Sequence, residues 1–279
     1  MVYARAPLSW LAALGLLGAC GDVPTSASVV GFGGERPATL QVPEGVSTGQ
    51  TAALVVILHD YGSSGEEVLE TSTIGAAASS AGVFAIAPDG LIDSNGSQFW
   101  NGGACCDFDQ TGVDDAAYIV SLLEEVAAEW PIDPEQIRVV GFGAGGFLAY
   151  DLGCRFGAAI GTIVSVGGAA PLDESGCEAT VAPRTLHIHG DQDELVSYFE
   201  TNEQPGALGS AALFAQRNGC QPLPVTIERL DLDVSVDGRE TRVGEFPGCD
   251  GRAQLWTLEG SLHMPEPTPS FAPRVINTL

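Results

Sequence analysis

The sequence contains no lysine: its eleven basic residues are all arginine, set against thirty-six acids for a formal net charge of −25. A surface of that sign repels nucleic acid and anionic lipid head groups, so neither is expected as a partner. CxxC pairs and closely spaced Cys/His sets are also missing, which argues against a metal site. No apolar run is long enough for a stable membrane span; the run over residues 8–17 falls well short. From about residue 31 onward there is no repeat, low-complexity tract or linker. What remains is a 279-residue chain, 45% hydrophobic and only 17% charged, able to bury a sizeable core. One domain over residues 31–279 is the economical expectation.

The N-terminus reads as a targeting segment. Arg5 precedes the apolar run, which ends in Leu17-Gly18-Ala19-Cys20. That ending resembles a bacterial lipobox, with residues 1–19 as signal peptide, Cys20 as the acylated residue and 20–30 as a tether. A plain secretory cut near Ala19 is the alternative. Either exports the protein, and membrane contact is expected only through the lipid on Cys20. The other six cysteines are Cys105, Cys106, Cys154, Cys177, Cys220 and Cys249. In an exported chain they suggest three disulfides, with Cys220–Cys249 the best single pair. Neighbouring cysteines rarely bridge one another, so Cys105 and Cys106 are each expected to reach a separate partner.

Short β-branched apolar runs alternate with helical patterns. The runs cover residues 54–58, 83–87, 138–140, 160–166, 185–189 and 253–258, and each ends near Gly, Asp or His. This alternation predicts an α/β fold with a mostly parallel central sheet covered by helices on both faces. Asp114 or Asp115 caps a helix carrying Ile119, Leu122, Leu123, Val126 and Trp130, which Pro131 stops. Residues 144–156 and 206–217 also read as helices. Residues 222–251 read as an acidic, irregular excursion.

The most informative turn is Gly141-Phe142-Gly143-Ala144-Gly145-Gly146, between a strand and a helix. A nucleophile elbow has the pattern G-x-S-x-G, whose flanking glycines permit a turn sharp enough to raise the central side chain above the sheet. Here the flanks are Gly141 and Gly145, and the centre is Gly143. The same residues satisfy the dinucleotide pattern G-x-G-x-x-G. That pattern requires an acid at the end of the next strand, where Ser165-Val166-Gly167-Gly168 stands instead. No cofactor is expected.

The runs Val113-Asp114-Asp115, Trp130-Pro131-Ile132-Asp133-Pro134 and Gly141 to Gly146, with Trp100-Asn101, Cys105-Cys106, His187-Ile188-His189-Gly190 and Asn218-Gly219-Cys220, resemble the polyhydroxybutyrate depolymerase and feruloyl esterase family of α/β hydrolases. The resemblance covers residues from roughly 36 to 265 and implies the α/β-hydrolase fold. It implies Asp193, in His189-Gly190-Asp191-Gln192-Asp193, as the acid, with Asp191 as the nearest substitute, and His263 as the base. It implies an oxyanion hole from backbone amides of Tyr61 and Ala144, and a cleft mouth lined by Trp100 and Asn101. Besides the elbow centre, two places depart from the family pattern. Asp60 stands where glycine normally follows His59, so a carboxylate either disturbs the oxyanion hole or points to solvent. Met264-Pro265 replaces the usual aromatic after His263.

The family's elbow serine is Gly143 here. Without an attacking oxygen the covalent acyl route closes, while glycine suits the strained elbow backbone. The expectation is a catalytically impaired or inactive esterase homologue retaining a cleft for an ester or polymer-like ligand. The alternatives are a functional esterase recorded with a nucleophile substitution and a surface interaction lipoprotein with no cleft function.

Overall fold

The computed structural model describes residues 27–43, 46 and 50–278. The expected signal peptide, Cys20 and the start of the expected tether lie outside the described residues. The elements in chain order are β1 (Ala27–Phe32), β2 (Ala38–Val42), β3 (Ala52–Leu58), α1 (Gly65–Ser72), α2 (Ile74–Ser80), β4 (Phe84–Ala87), β5 (Leu91–Ile92) and β6 (Gln98–Phe99). There follow α3 (Asp115–Glu129), β7 (Ile132–Phe142), α4 (Ala144–Phe156), β8 (Thr162–Val166) and β9 (Arg184–Gly190). The last are α5 (Gly206–Arg217), β10 (Val225–Leu230), β11 (Thr241–Glu245), β12 (Ala253–Leu258) and α6 (Phe271–Thr278).

Ten strands form one sheet in the order β1-β2-β4-β3-β7-β8-β9-β12-β11-β10. From β4 to β12 every pairing is parallel, while an antiparallel pair extends each edge. The parallel centre explains the unbroken apolar runs. In β3, Leu54, Val56 and Leu58 join one buried cluster with α3 and α4, whereas Val55 and Ile57 join another with α1, α2 and α6. Alternate side chains point to opposite faces, so both faces must be apolar when both are covered.

Asp114 caps α3 by accepting the Ala117 N–H, and the helix ends at Trp130, as its pattern indicates. Two expectations fail. Residues 27–30, assigned to a tether, are the first part of β1, paired with β2. Within the supposed excursion, residues 225–230 and 241–245 form the β10–β11 edge hairpin. Val225 and Ile227 remain exposed on this outermost strand, so the buried apolar pattern of a central strand is missing.

Among the described residues there are three disulfides. Cys220–Cys249 is formed as expected, and Cys154–Cys177 ties α4 to the loop after β8. The third joins the neighbours Cys105 and Cys106, correcting the expectation of separate partners. Cys106 takes a left-handed backbone conformation with φ 88°, within a tight loop where Gly102 N–H donates to the Cys105 carbonyl.

Candidate active site at the β7–α4 elbow

β7 enters the centre of the sheet and turns into α4 through Gly143, which has φ 46° and ψ −112°. An L side chain rarely adopts that conformation. The turn is tight because its flanks lack side chains: a Cβ on Gly141 would lie 2.0 Å from the Gly145 carbonyl oxygen. Bonds from Gly143 N–H to Val166 O (2.8 Å) and from Gly145 N–H to His59 O (3.2 Å) fix the elbow against its neighbours.

The two amides expected to converge do so. Tyr61 N–H and Ala144 N–H both donate to a single oxygen, at 2.7 and 2.9 Å. That oxygen is Oδ1 of Asp60. The carboxylate therefore points inward, resolving the two orientations left open by the sequence. It also fills the space above Gly143: a Cβ there would sit 1.8 Å from Asp60 Oδ1 and 2.2 Å from its Cγ. The loop carrying Asp60 is held by buried His59. Gly90 N–H donates to His59 Nε2 (2.9 Å), so Nδ1 bears the proton and donates to the Asp60 carbonyl (2.7 Å). Burial lowers the His59 pKa and keeps the ring neutral.

His263 and Asp193, on loops after β12 and β9, meet beside this carboxylate. His263 Nδ1 lies 2.7 Å from Asp193 Oδ2, and His263 Nε2 lies 3.3 Å from Asp60 Oδ2. Burial alone would lower the His263 pKa. Hydrogen bonds to Asp193 and Asp60, with their charges, outweigh burial and raise it to about 9. The ring is an imidazolium between two carboxylates at neutral pH. Asp191 is not the acid: it accepts the Gly260 N–H at 2.7 Å and ties down the loop that carries His263.

Asp193 also terminates a buried relay that the motif reading did not include. Tyr150 OH lies 2.9 Å from His187 Nδ1, His187 Nε2 lies 3.0 Å from His189 Nδ1, and His189 Nε2 lies 3.0 Å from Asp193 Oδ2. His189 Nε2 faces two acceptors, Asp193 and the Val196 carbonyl, so it carries the proton. With neutral rings the other donors must then all point towards Asp193. Asp193 Oδ1 takes the Leu195 and Val196 amides, each at 2.8 Å. Burial would raise the Asp193 pKa, but the bonds from His189, His263 and Val196 hold it well below the usual carboxylate range. The signal for the relay was available: residues 187 and 189 share one side of a strand.

Trp100 and Asn101 do not border the cleft beside Asp60. Trp100 is completely buried, with its ring 5.0 Å from that of His59 and the Arg36 guanidinium 5.1 Å from its centroid. The Asn101 backbone N–H donates to Asp115 and its side-chain amide donates to the Val113 carbonyl. Trp100 thus serves packing, while Asn101 fixes its loop and lines separate surface cavities with Gly103. The cleft that borders Asp60 holds about 390 Å³ and is walled by Val68, Phe142, Met264, Pro265 and Phe271 among others.

A parallel sheet with an elbow after a central strand and an acid–histidine pair on later loops defines an α/β hydrolase. The phospholipase/carboxylesterase family model matches residues 44–213, and the chain belongs to that family. It is 27% identical over 248 residues to a protein named probable feruloyl esterase C from Aspergillus terreus, covering 86% of this chain and 81% of that one. Feruloyl esterase C of Emericella nidulans is 26% identical over 248 residues, with the same coverage. Among solved structures, an acetyl xylan esterase from Aspergillus awamori superposes with a TM-score of 0.67 at 12% identity, covering 91% of this chain and 98% of that chain.

Proposed function

We propose that this chain is an exported member of the esterase family that does not use acyl-serine chemistry, its nucleophile position being Gly143 and its oxyanion hole being filled by Asp60. The observation that carries this reading is the 1.8 Å separation between Asp60 Oδ1 and a Cβ built on Gly143. A serine would compete with the carboxylate for the same space. Asp193 and His263 take the acid and base positions, and Tyr61 and Ala144 supply the amides. The cleft beside them is the place for an ester or polymer-like ligand of the kind that feruloyl esterases are named for. Three disulfides support export. Cys20 is the proposed lipid attachment point.

Losing a triad member ordinarily leaves roughly 10³ to 10⁴-fold catalysis over water, through binding and the oxyanion hole. Here Asp60 blocks the hole as well, so activity on esters should fall below that residue. Purified protein should neither react with a fluorophosphonate probe nor turn over p-nitrophenyl acetate above background. Labelling of the native chain at a cleft residue, or ester turnover on the order of 10 per second, would overturn the reading.

A further inference from the structure

The two oxygens of Asp60 are not equivalent. Oδ1 is committed to the Tyr61 and Ala144 amides, whereas Oδ2 has His263 Nε2 at 3.3 Å, too long for a strong bond. Asp60 also borders a cleft whose walls include Val68, Phe142, Met264, Pro265 and Phe271. An anionic oxygen held at the edge of a mostly apolar cleft, which Ser63, Glu67 and Thr71 also line, can attack carbon. A carbonyl carbon is the wrong target. Its developing oxyanion would need the two amides, and Asp60 Oδ1 already occupies them. Attack on a tetrahedral carbon makes no such demand.

We propose that Asp60 is a carboxylate nucleophile that opens an epoxide carried on an apolar or aromatic group, and that the site hydrolyses it to a vicinal diol. The inference rests on the reading that Gly143 offers no attacking atom, and goes beyond it. In the first step Oδ2 bonds to a ring carbon, the carbon–oxygen bond of the ring breaks, and the alkoxide takes the proton from His263 Nε2. The product is a hydroxyalkyl ester of Asp60, whose carbonyl oxygen is Oδ1, already between the two amides. Esterification removes one of the two charges holding the proton on His263, and the neutral ring can now accept one from water. The resulting hydroxide adds to the Asp60 ester carbon, and the tetrahedral oxyanion sits on Oδ1. Collapse expels the diol alkoxide, which is protonated at the expense of the new carboxyl group, while His263 retains the proton from water. Epoxide and water become diol, and Asp60 and His263 return to their starting forms. An epoxide fits better than an alkyl halide because its leaving oxygen uses the proton that resting His263 carries.

The test is turnover of styrene oxide by the full chain in H₂¹⁸O, followed by mass spectrometry of the Asp60 peptide. Expected results are diol formation and ¹⁸O entering the Asp60 carboxylate, because water attacks the ester carbon rather than the epoxide. His263→Gln should accumulate a stoichiometric adduct on Asp60, and Asp60→Asn should lose both adduct and diol. Absence of diol and adduct from the native chain would overturn the proposal. So would diol whose ¹⁸O arrives without labelling Asp60, which would make the carboxylate a general base. The native-chain labelling does not depend on any variant folding. A fluorophosphonate adduct would sink the proposed function separately, whatever the epoxide result.

Discussion

Replacing Gly143 by serine would restore the family's elbow pattern, yet the structure predicts that this change alone fails. The new Cβ would fall 1.8 Å from Asp60 Oδ1, 2.2 Å from Cγ and 2.6 Å from Oδ2, so the carboxylate has to leave. Leaving forfeits two charge-assisted bonds from backbone amides, at 2.7 and 2.9 Å. Because Asp60 is partly exposed, the lower end of the usual range applies, about 1.5 kcal/mol each. Serine at φ 46° adds at least about 1 kcal/mol of backbone strain. Gly143→Ser should therefore destabilise the protein by about 4 kcal/mol, a large fraction of a domain's stability. Asp60→Gly alone removes the same two bonds and should cost about 3 kcal/mol. In the double variant those bonds are absent once and the strain remains, so it should be about as stable as Gly143→Ser, whereas independent effects would sum to about 7 kcal/mol, a coupling of about 3 kcal/mol. Urea denaturation of the four proteins measures that coupling. Fluorophosphonate labelling should appear in the double variant and not in Gly143→Ser. A Gly143→Ser protein with native stability and full labelling would refute the claim that Asp60 holds the site.

Three further outcomes follow from particular contacts. His263 has its pKa raised from 6.5 to about 9 by Asp193 and Asp60, so its stabilising contribution is complete below pH 6.5 and is lost as pH rises through 9. Melting temperature should fall across that window, and less so in Asp60→Asn; a flat profile, or an imidazole NMR titration near 6.5, would contradict this. Tyr150→Phe removes the donor to Nδ1 of fully buried His187 and should cost about 1–3 kcal/mol in urea unfolding, whereas an unchanged midpoint would dissolve the relay. Replacing both Cys220 and Cys249 by serine opens a link across 29 positions, worth about 3 to 4 kcal/mol by loop-closure entropy. A loss below about 1 kcal/mol by calorimetry would show that the β10–β11 edge holds itself.

Much of this molecule could be read from the order of its residues. The parallel strands were visible because burial on both faces demands unbroken apolar runs, as in residues 54–58, and α3 because its apolar residues recur at helical spacing behind Asp114. The elbow was visible because only glycine tolerates the contacts at Gly141 and Gly145. The edge hairpin over 225–245 was hidden, since a strand at the rim needs no apolar face. Trp100 and Asn101 were placed at a cleft by resemblance, although Arg36, brought in from 64 positions earlier, holds that segment inside. Sequence alone established that Gly143 has no side-chain oxygen and that a carboxylate follows His59. Only the tertiary structure decided where that carboxylate goes. Its position depends on two amides from separate segments and an imidazolium from a third meeting at one point, and such convergence leaves no trace in local spacing.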